Sequence, residues 1–85
     1  MHHPPTATMD VQQFNRIVQS YNISSRDASI LDACFRTLDA SDWEAVVSLI
    51  LVVMCLADPN TGRRDLVDRL SPLRHHRCAN LLVAL

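Results

Sequence analysis

The fold of this chain is decided by residues 41–57, SDWEAVVSLILVVMCLA. From residue 45 onward the stretch is apolar except for Ser48, and its many β-branched residues leave a buried strand as the alternative to a helix. The run is longer than an ordinary strand, and Ser41 with Glu44 matches a capping box that begins a helix. It is too short for a membrane span, which needs about 20 residues. We therefore predict a core helix over about 42–57.

This helix carries apolar side chains on every side, so it has to be covered all round. We expect four short neighbouring helices to achieve this only narrowly, and a homodimer to achieve it more easily. The sequence therefore predicts self-association.

The segments before the central helix have the apolar spacing of amphipathic helices. Helix one is predicted from about Asp10 to Ser20, with Asp10 suited to its first turn. Helix two is predicted to begin at Ser24 or Ser25 and to bury the stripe formed by Ile30, Leu31, Cys34, Phe35 and Leu38.

Two further helices are predicted after the turn at residues 58–62. Helix four carries Leu66, Val67 and Leu70 on its inner side. Helix five is predicted to begin with Ser71 as cap and Pro72 in the first helical position, and to run towards Leu85. The predicted fold class is all-α, a compact bundle of about five short helices around the central apolar helix.

The 85 residues make one domain, which we place at residues 10–85. Residues 1–9 read as a flexible leader or a cloning remnant. The apolar stretch 81–85 is expected either to continue into a longer protein, of which this domain would be the N-terminal part, or to pack into the core.

Three cysteines, Cys34, Cys55 and Cys78, lie far apart in apolar stretches. An odd number at such spacing indicates buried free thiols rather than a disulfide framework. We therefore expect a cytoplasmic or other reducing intracellular location. The N-terminal sequence agrees with this, because it lacks the charged start and apolar run of a signal peptide.

The residues that usually carry chemistry do not form a complete set. His75, His76 and Cys78 contain one short ligand spacing, whereas a zinc site needs a second. No base accompanies a cysteine in a nucleophile pattern, and one glycine excludes a glycine-rich nucleotide loop. We expect no enzyme activity, no cofactor or metal, and no small-molecule substrate.

Charge is distributed unevenly along the chain, and all eight basic residues are arginine. Residues 1–60 hold three arginines and seven acidic side chains, a net charge of −4, while residues 61–85 hold five arginines and two acidic side chains, a net charge of +3. Arginine binds phosphates with two parallel hydrogen bonds. The candidate residues for binding a partner or a nucleic acid are Arg63, Arg64, Arg69, Arg74, His75, His76 and Arg77.

These basic residues allow three interpretations: a solvated face partly neutralised by Asp65 and Asp68, a site for an acidic protein, or a nucleic-acid site. Trp43, in the first turn of the central helix, either packs in the core or serves as a hydrophobic anchor for a partner.

The motif Asp58-Pro59-Asn60 followed by Arg63-Arg64-Asp65-Leu66 resembles the turn into the second helix of the small silencing suppressors of nodaviruses. Those proteins are helical dimers that bind duplex RNA, so the resemblance implies duplex RNA as a ligand. It covers about a dozen residues, and Pro72 departs from it by interrupting what should be one long basic helix.

The function predicted from these patterns is a non-enzymatic protein–protein interaction or assembly domain. In outline, five or six helices in this length are similar to death-fold interaction modules. The arginine-only composition raises the hypothesis of a viral source. The alternative function is RNA binding through the basic helices of residues 61–85.

Overall fold

A computed structural model describes residues 9–85 of the chain, and within that range the fold contains helices and turns but no strand. The helices are α1 (Val11–Ser20), α2 (Ser25–Thr37), α3 (Trp43–Ala57), α4 (Arg63–Leu70) and α5 (Ala79–Leu82), with a 3₁₀ turn at Ser71–Leu73 between α4 and α5. The predicted all-α bundle around a central apolar helix is confirmed: α3 packs against α2, α4 and the 3₁₀ turn. Residues 1–8 of the predicted leader lie outside the described range. Its last residue, Met9, packs against the core.

The first two helices begin where their caps predict. The Asp10 carboxylate accepts a hydrogen bond of 2.8 Å from the Gln13 amide, and the Gln13 side chain accepts one of 2.9 Å from the Asp10 amide. Ser24 caps α2 by accepting from the Asp27 amide at 3.1 Å. Each cap satisfies a backbone amide that the first turn of a helix leaves free.

Contacts between α1 and α2 are both apolar and polar. Phe14 stacks on Phe35 with ring centroids 4.6 Å apart and planes inclined by 12°. Asp32 accepts hydrogen bonds from Asn15 of α1 and from Arg36, at 3.1 and 2.9 Å. The Arg36 hydrogen bond lowers the pKa of the Asp32 carboxyl, so this group stays ionised and links the two helices.

The start of α3 differs from the predicted capping box. Asp42 is the N-cap, and its carboxylate accepts from the Ala45 amide at 3.2 Å. Ser41 instead donates its hydroxyl and amide to Asp39, at 2.6 and 3.0 Å, which lowers the pKa of that carboxyl. The prediction that Ser41 caps the helix was therefore wrong, because a competing turn engages Ser41 and aspartate caps as well as serine does.

Two substitutions distinguish these caps. Asp42→Ala should lower the free energy of unfolding by about 1 kcal/mol, the usual cost of losing an N-cap. Ser41→Ala removes an exposed hydrogen bond, so its effect should stay within about 0.5 kcal/mol. Urea unfolding followed by circular dichroism measures both, and a larger loss for Ser41→Ala would contradict the assignment.

The predicted continuous helix five was also wrong. The chain forms the 3₁₀ turn and then successive turns. In these turns a backbone amide donates to the carbonyl three residues earlier, as His76 does to Leu73 and Ala79 does to His76. Leu73 and Cys78 are both fully buried, although five helical positions would separate them by about 140° around an axis. Breaking the helix lets both side chains enter the core while Arg74 and Arg77 stay exposed.

The prediction that the three cysteines are buried is confirmed, and each is a free thiol. The Cys34 sulfur lies 3.8 Å from the carbonyl oxygen of Cys78, where α2 meets the start of α5. A hydrogen bond with the Cys78 side chain and burial together raise the pKa of the Cys34 thiol far above its usual range. Within residues 9–85, none of the helices combines the length and the apolar character needed to cross a membrane.

Candidate functional site

The outer face of α3 carries a row of apolar side chains that the rest of the domain leaves uncovered. Trp43, Val47 and Met54 are 45%, 38% and 45% exposed, and Ile50 and Leu51 are half-buried. Because residues four, seven and eleven apart share one side of a helix, the row follows α3 for about 17 Å. We call these five residues the α3 stripe.

The α3 stripe departs from the expectation that α3 is covered on every side. The opposite face meets that expectation, since Val46, Leu49, Val52 and Val53 are fully buried. The neighbours cover only part of the circumference, because α4 is two turns long and the predicted fifth helix is replaced by turns. Trp43 consequently stands at the surface, as the hydrophobic-anchor interpretation requires.

A cleft of about 600 Å³ opens beside the α3 stripe, between α3 and α4. Leu51, Met54 and Cys55 of α3 line one side of it. The remaining lining residues are largely acidic and come from the end of α3, the turn and α4: Asp58, Thr61, Asp65, Asp68 and Arg69. We call this feature the acidic cleft.

The other end of the stripe is acidic as well. Asp42 and Glu44 stand at the start of α3, and both line a shallow depression with His76. The nearest approach of His76 to the Asp42 carboxylate is 3.9 Å. Both ends of the α3 stripe therefore carry an excess of carboxylates.

The three arginines of α4 point in different directions. With 100° of rotation per residue, Arg63, Arg64 and Arg69 are separated by at least 100° from one another around the helix axis. Arg69 lines the acidic cleft, whereas the Arg63 guanidinium donates a hydrogen bond of 2.8 Å to the Leu85 carbonyl. α4 thus presents no row of arginines.

The basic residues after α4 are also dispersed. Arg74 lines a small apolar pocket of about 130 Å³, and His76 lies beside the start of α3. His75 and Arg77 are exposed in the turns that precede α5. The seven basic residues singled out in the sequence therefore surround the C-terminal third of the domain instead of forming one face.

A second apolar surface lies on the side of α4 remote from the acidic cleft. Val67, predicted to face inward, is 53% exposed, because Leu66 takes the core position and Val67 follows it 100° further round. Val83 is 77% exposed and lines the small pocket with Leu70, Arg74, Ala79 and Leu82. The sequence gives little sign of this surface, since its residues come from two separate segments.

Among residues 9–85, no three histidine, cysteine or acidic side chains come together in a way that could hold a metal ion. Comparison of the chain with protein-family models, curated proteins and solved structures finds no match.

Proposed function

We propose that this domain is a self-assembly module, a protein-interaction domain whose α3 stripe packs against a second copy of the chain. The observation that carries the proposal is the exposure of Trp43, Val47 and Met54 along one face of a helix whose opposite face is fully buried. Tryptophan and methionine are enriched at the centres of protein interfaces.

The energy available from the stripe alone is small. Full burial of a large apolar side chain stabilises by about 1.5–3 kcal/mol, so covering the exposed parts of these three contributes roughly 1 kcal/mol each. Association costs an estimated 4 kcal/mol or more in lost rotational and translational freedom. The stripe therefore needs further contacts around it, and the charged walls beside it are placed to make them.

Duplex RNA receives less support as the ligand. The arginines of α4 diverge, and the turns at residues 74–78 break the long basic helix that the resemblance to the silencing suppressors implies. Residues 58–85 also contain no phenylalanine, tyrosine or tryptophan on which a base could stack. RNA binding stays a prediction from the sequence, and the experiment below includes it.

We expect sedimentation velocity to show reversible association as the protein concentration rises towards about 1 mM, where even a weak contact of about 4 kcal/mol becomes populated. The double variant Val47→Glu/Met54→Glu should abolish it, because association would bury two carboxylates without partners. Glutamate favours helix more than valine does, so α3 should persist.

Tyr21→Glu is the matched control, since Tyr21 is 37% exposed and Val47 is 38% exposed, and Tyr21 lies outside the stripe, at the end of α1. It should leave association unchanged. A wild-type protein that stays monomeric throughout, or a double variant that associates like the wild type, would refute the proposal. Binding of duplex RNA that weakens steeply between about 50 and 200 mM salt would instead support the alternative.

A further inference from the structure

The charges around the α3 stripe oppose a symmetric dimer in which two stripes face each other. Asp42 and Glu44 stand at one end, and Asp58, Asp65 and Asp68 stand at the other. Whether two such helices pack parallel or antiparallel, carboxylates meet carboxylates. Arg69 offsets only part of this charge, so the surface that complements the stripe is apolar and basic.

The far side of α4 has that composition. Val67 and Val83 are exposed, Val83 lines the small pocket with Leu70, and Val67 lies one turn before Leu70 on α4. Arg63, Arg64 and Arg74 are exposed at its borders. We call these six residues the C-terminal patch. α4 separates the patch from the acidic cleft, so the two surfaces face different directions.

We propose that the chain assembles head to tail, with the α3 stripe and acidic cleft of one copy docked on the C-terminal patch of the next. This inference rests on the proposed function and adds the surface that receives the stripe. The arginines of the patch would face Asp65 and Asp68, while the two valines cover the stripe. Opposite charges at the rim steer the encounter and fix the orientation of the two copies.

The small pocket of the C-terminal patch can receive an apolar side chain of the α3 stripe. It measures about 130 Å³, and a cavity of about 150 Å³ can hold a molecule of benzene. One apolar side chain of the stripe, such as Met54, therefore fits the pocket by volume. An exposed apolar side chain that enters a pocket elsewhere on an identical molecule forms a heterologous contact.

The geometry has a consequence for stoichiometry. In a symmetric dimer both copies use the same surface and growth stops at two. In a head-to-tail contact one copy still has a free patch and the other a free stripe, so the pair as a whole retains one unused stripe and one unused patch. The assembly therefore continues into a ring or an open filament.

Mixing two blocked variants tests this consequence. Val47→Glu/Met54→Glu blocks the stripe, and Val67→Glu/Val83→Glu blocks the patch through two exposed positions. Each variant alone should be monomeric, with a Kd at least about tenfold weaker than that of the wild type. An equimolar mixture should form a 1:1 dimer and nothing larger, because each variant supplies the surface that the other lacks. Sedimentation velocity and native mass spectrometry measure the stoichiometry, and circular dichroism verifies that both variants fold.

A charge reversal gives a second measurement. Reversing the charge of the acidic cleft with Asp65→Arg/Asp68→Arg should weaken assembly. Reversing the charge of the C-terminal patch with Arg64→Glu/Arg74→Glu should weaken it as well. A chain that carries all four substitutions should assemble again, since its cleft is basic and its patch acidic.

Each alternative result has a separate meaning. A patch-blocked variant that still dimerises, while the stripe-blocked variant does not, overturns the head-to-tail contact and leaves the proposed function intact as a symmetric dimer. Two monomeric variants that fail to combine also overturn it. A stripe-blocked variant that assembles like the wild type refutes the proposed function itself.

Discussion

Replacing Phe14 with alanine should lower the free energy of unfolding by about 3–5 kcal/mol, the range found for truncating a buried aromatic ring. Phe14 is fully buried and stacks on Phe35, so the truncation removes both its apolar burial and the aromatic contact between α1 and α2. A domain of this length is stable by roughly 4–13 kcal/mol in total. The variant should therefore lose a large fraction of its stability.

Urea unfolding followed by circular dichroism measures this loss. Trp43→Ala is the matched control, because it also truncates an aromatic ring but one that is 45% exposed. Its expected cost is at most about half that of Phe14→Ala. Equal losses for the two variants would mean that Trp43 is buried in the folded monomer or that Phe14 is not.

The second large effect concerns the reactivity of the thiols. Cys34 and Cys78 are fully buried, whereas Cys55 is 8% exposed beside the acidic cleft. Because the thiolate is the reactive form, the raised pKa of Cys34 adds to its protection. If modification requires unfolding worth about 4 kcal/mol or more, Cys34 and Cys78 should react at least about 10³-fold more slowly than free cysteine.

Labelling with a chromogenic disulfide reagent at pH 8 should therefore show one faster thiol and two slow ones. Cys55→Ala should remove the faster phase and leave the slow phases unchanged. All three thiols should react rapidly in denaturant. Rapid modification of Cys34 or Cys78 in the folded protein would contradict their burial.

The sequence predicts α1, α2 and α3 well because local and global signals agree there. Asp10 and Ser24 cap their helices, the apolar residues of each helix recur at helical spacing, and burial of those residues then holds the helix in place. At the start of α3 the signals compete, since Asp39 and Asp42 each accept a hydrogen bond from a nearby amide, while Ser41 donates to Asp39 instead of capping the helix. The one-residue error in the cap reflects that competition.

The segment after α4 could not be predicted in the same way. Ser71 and Pro72 are typical of the start of a helix, and the local pattern contains no stop before Leu85. The break arises because Leu73 and Cys78 both have to reach a core built by α2 and α3. That requirement is set by α2 and α3, whose residues lie more than 15 positions before Leu73, so no local pattern contains it.

The candidate surfaces show the same limit. Apolar residues on all sides of α3 indicate that the helix is central, but they do not indicate which side its neighbours leave open. The exposure of Val47 and Met54 depends on where α4 packs, and that of Val67 depends on the rotation of α4. Seven basic residues close in sequence likewise do not predict a shared face.

The attachment of the last residues has a consequence for the order of folding. The Arg26 guanidinium donates to the Ala84 carbonyl across 58 positions of the chain, and Cys34 meets Cys78 across 44. By contrast, α3 and α4 are joined by a short turn and pack on each other directly. Closing a long loop costs more entropy than closing a short one, so contacts near in sequence form first. We therefore expect the α3–α4 pair to form early in folding, and the C-terminal segment to dock onto α2 after the folding transition state.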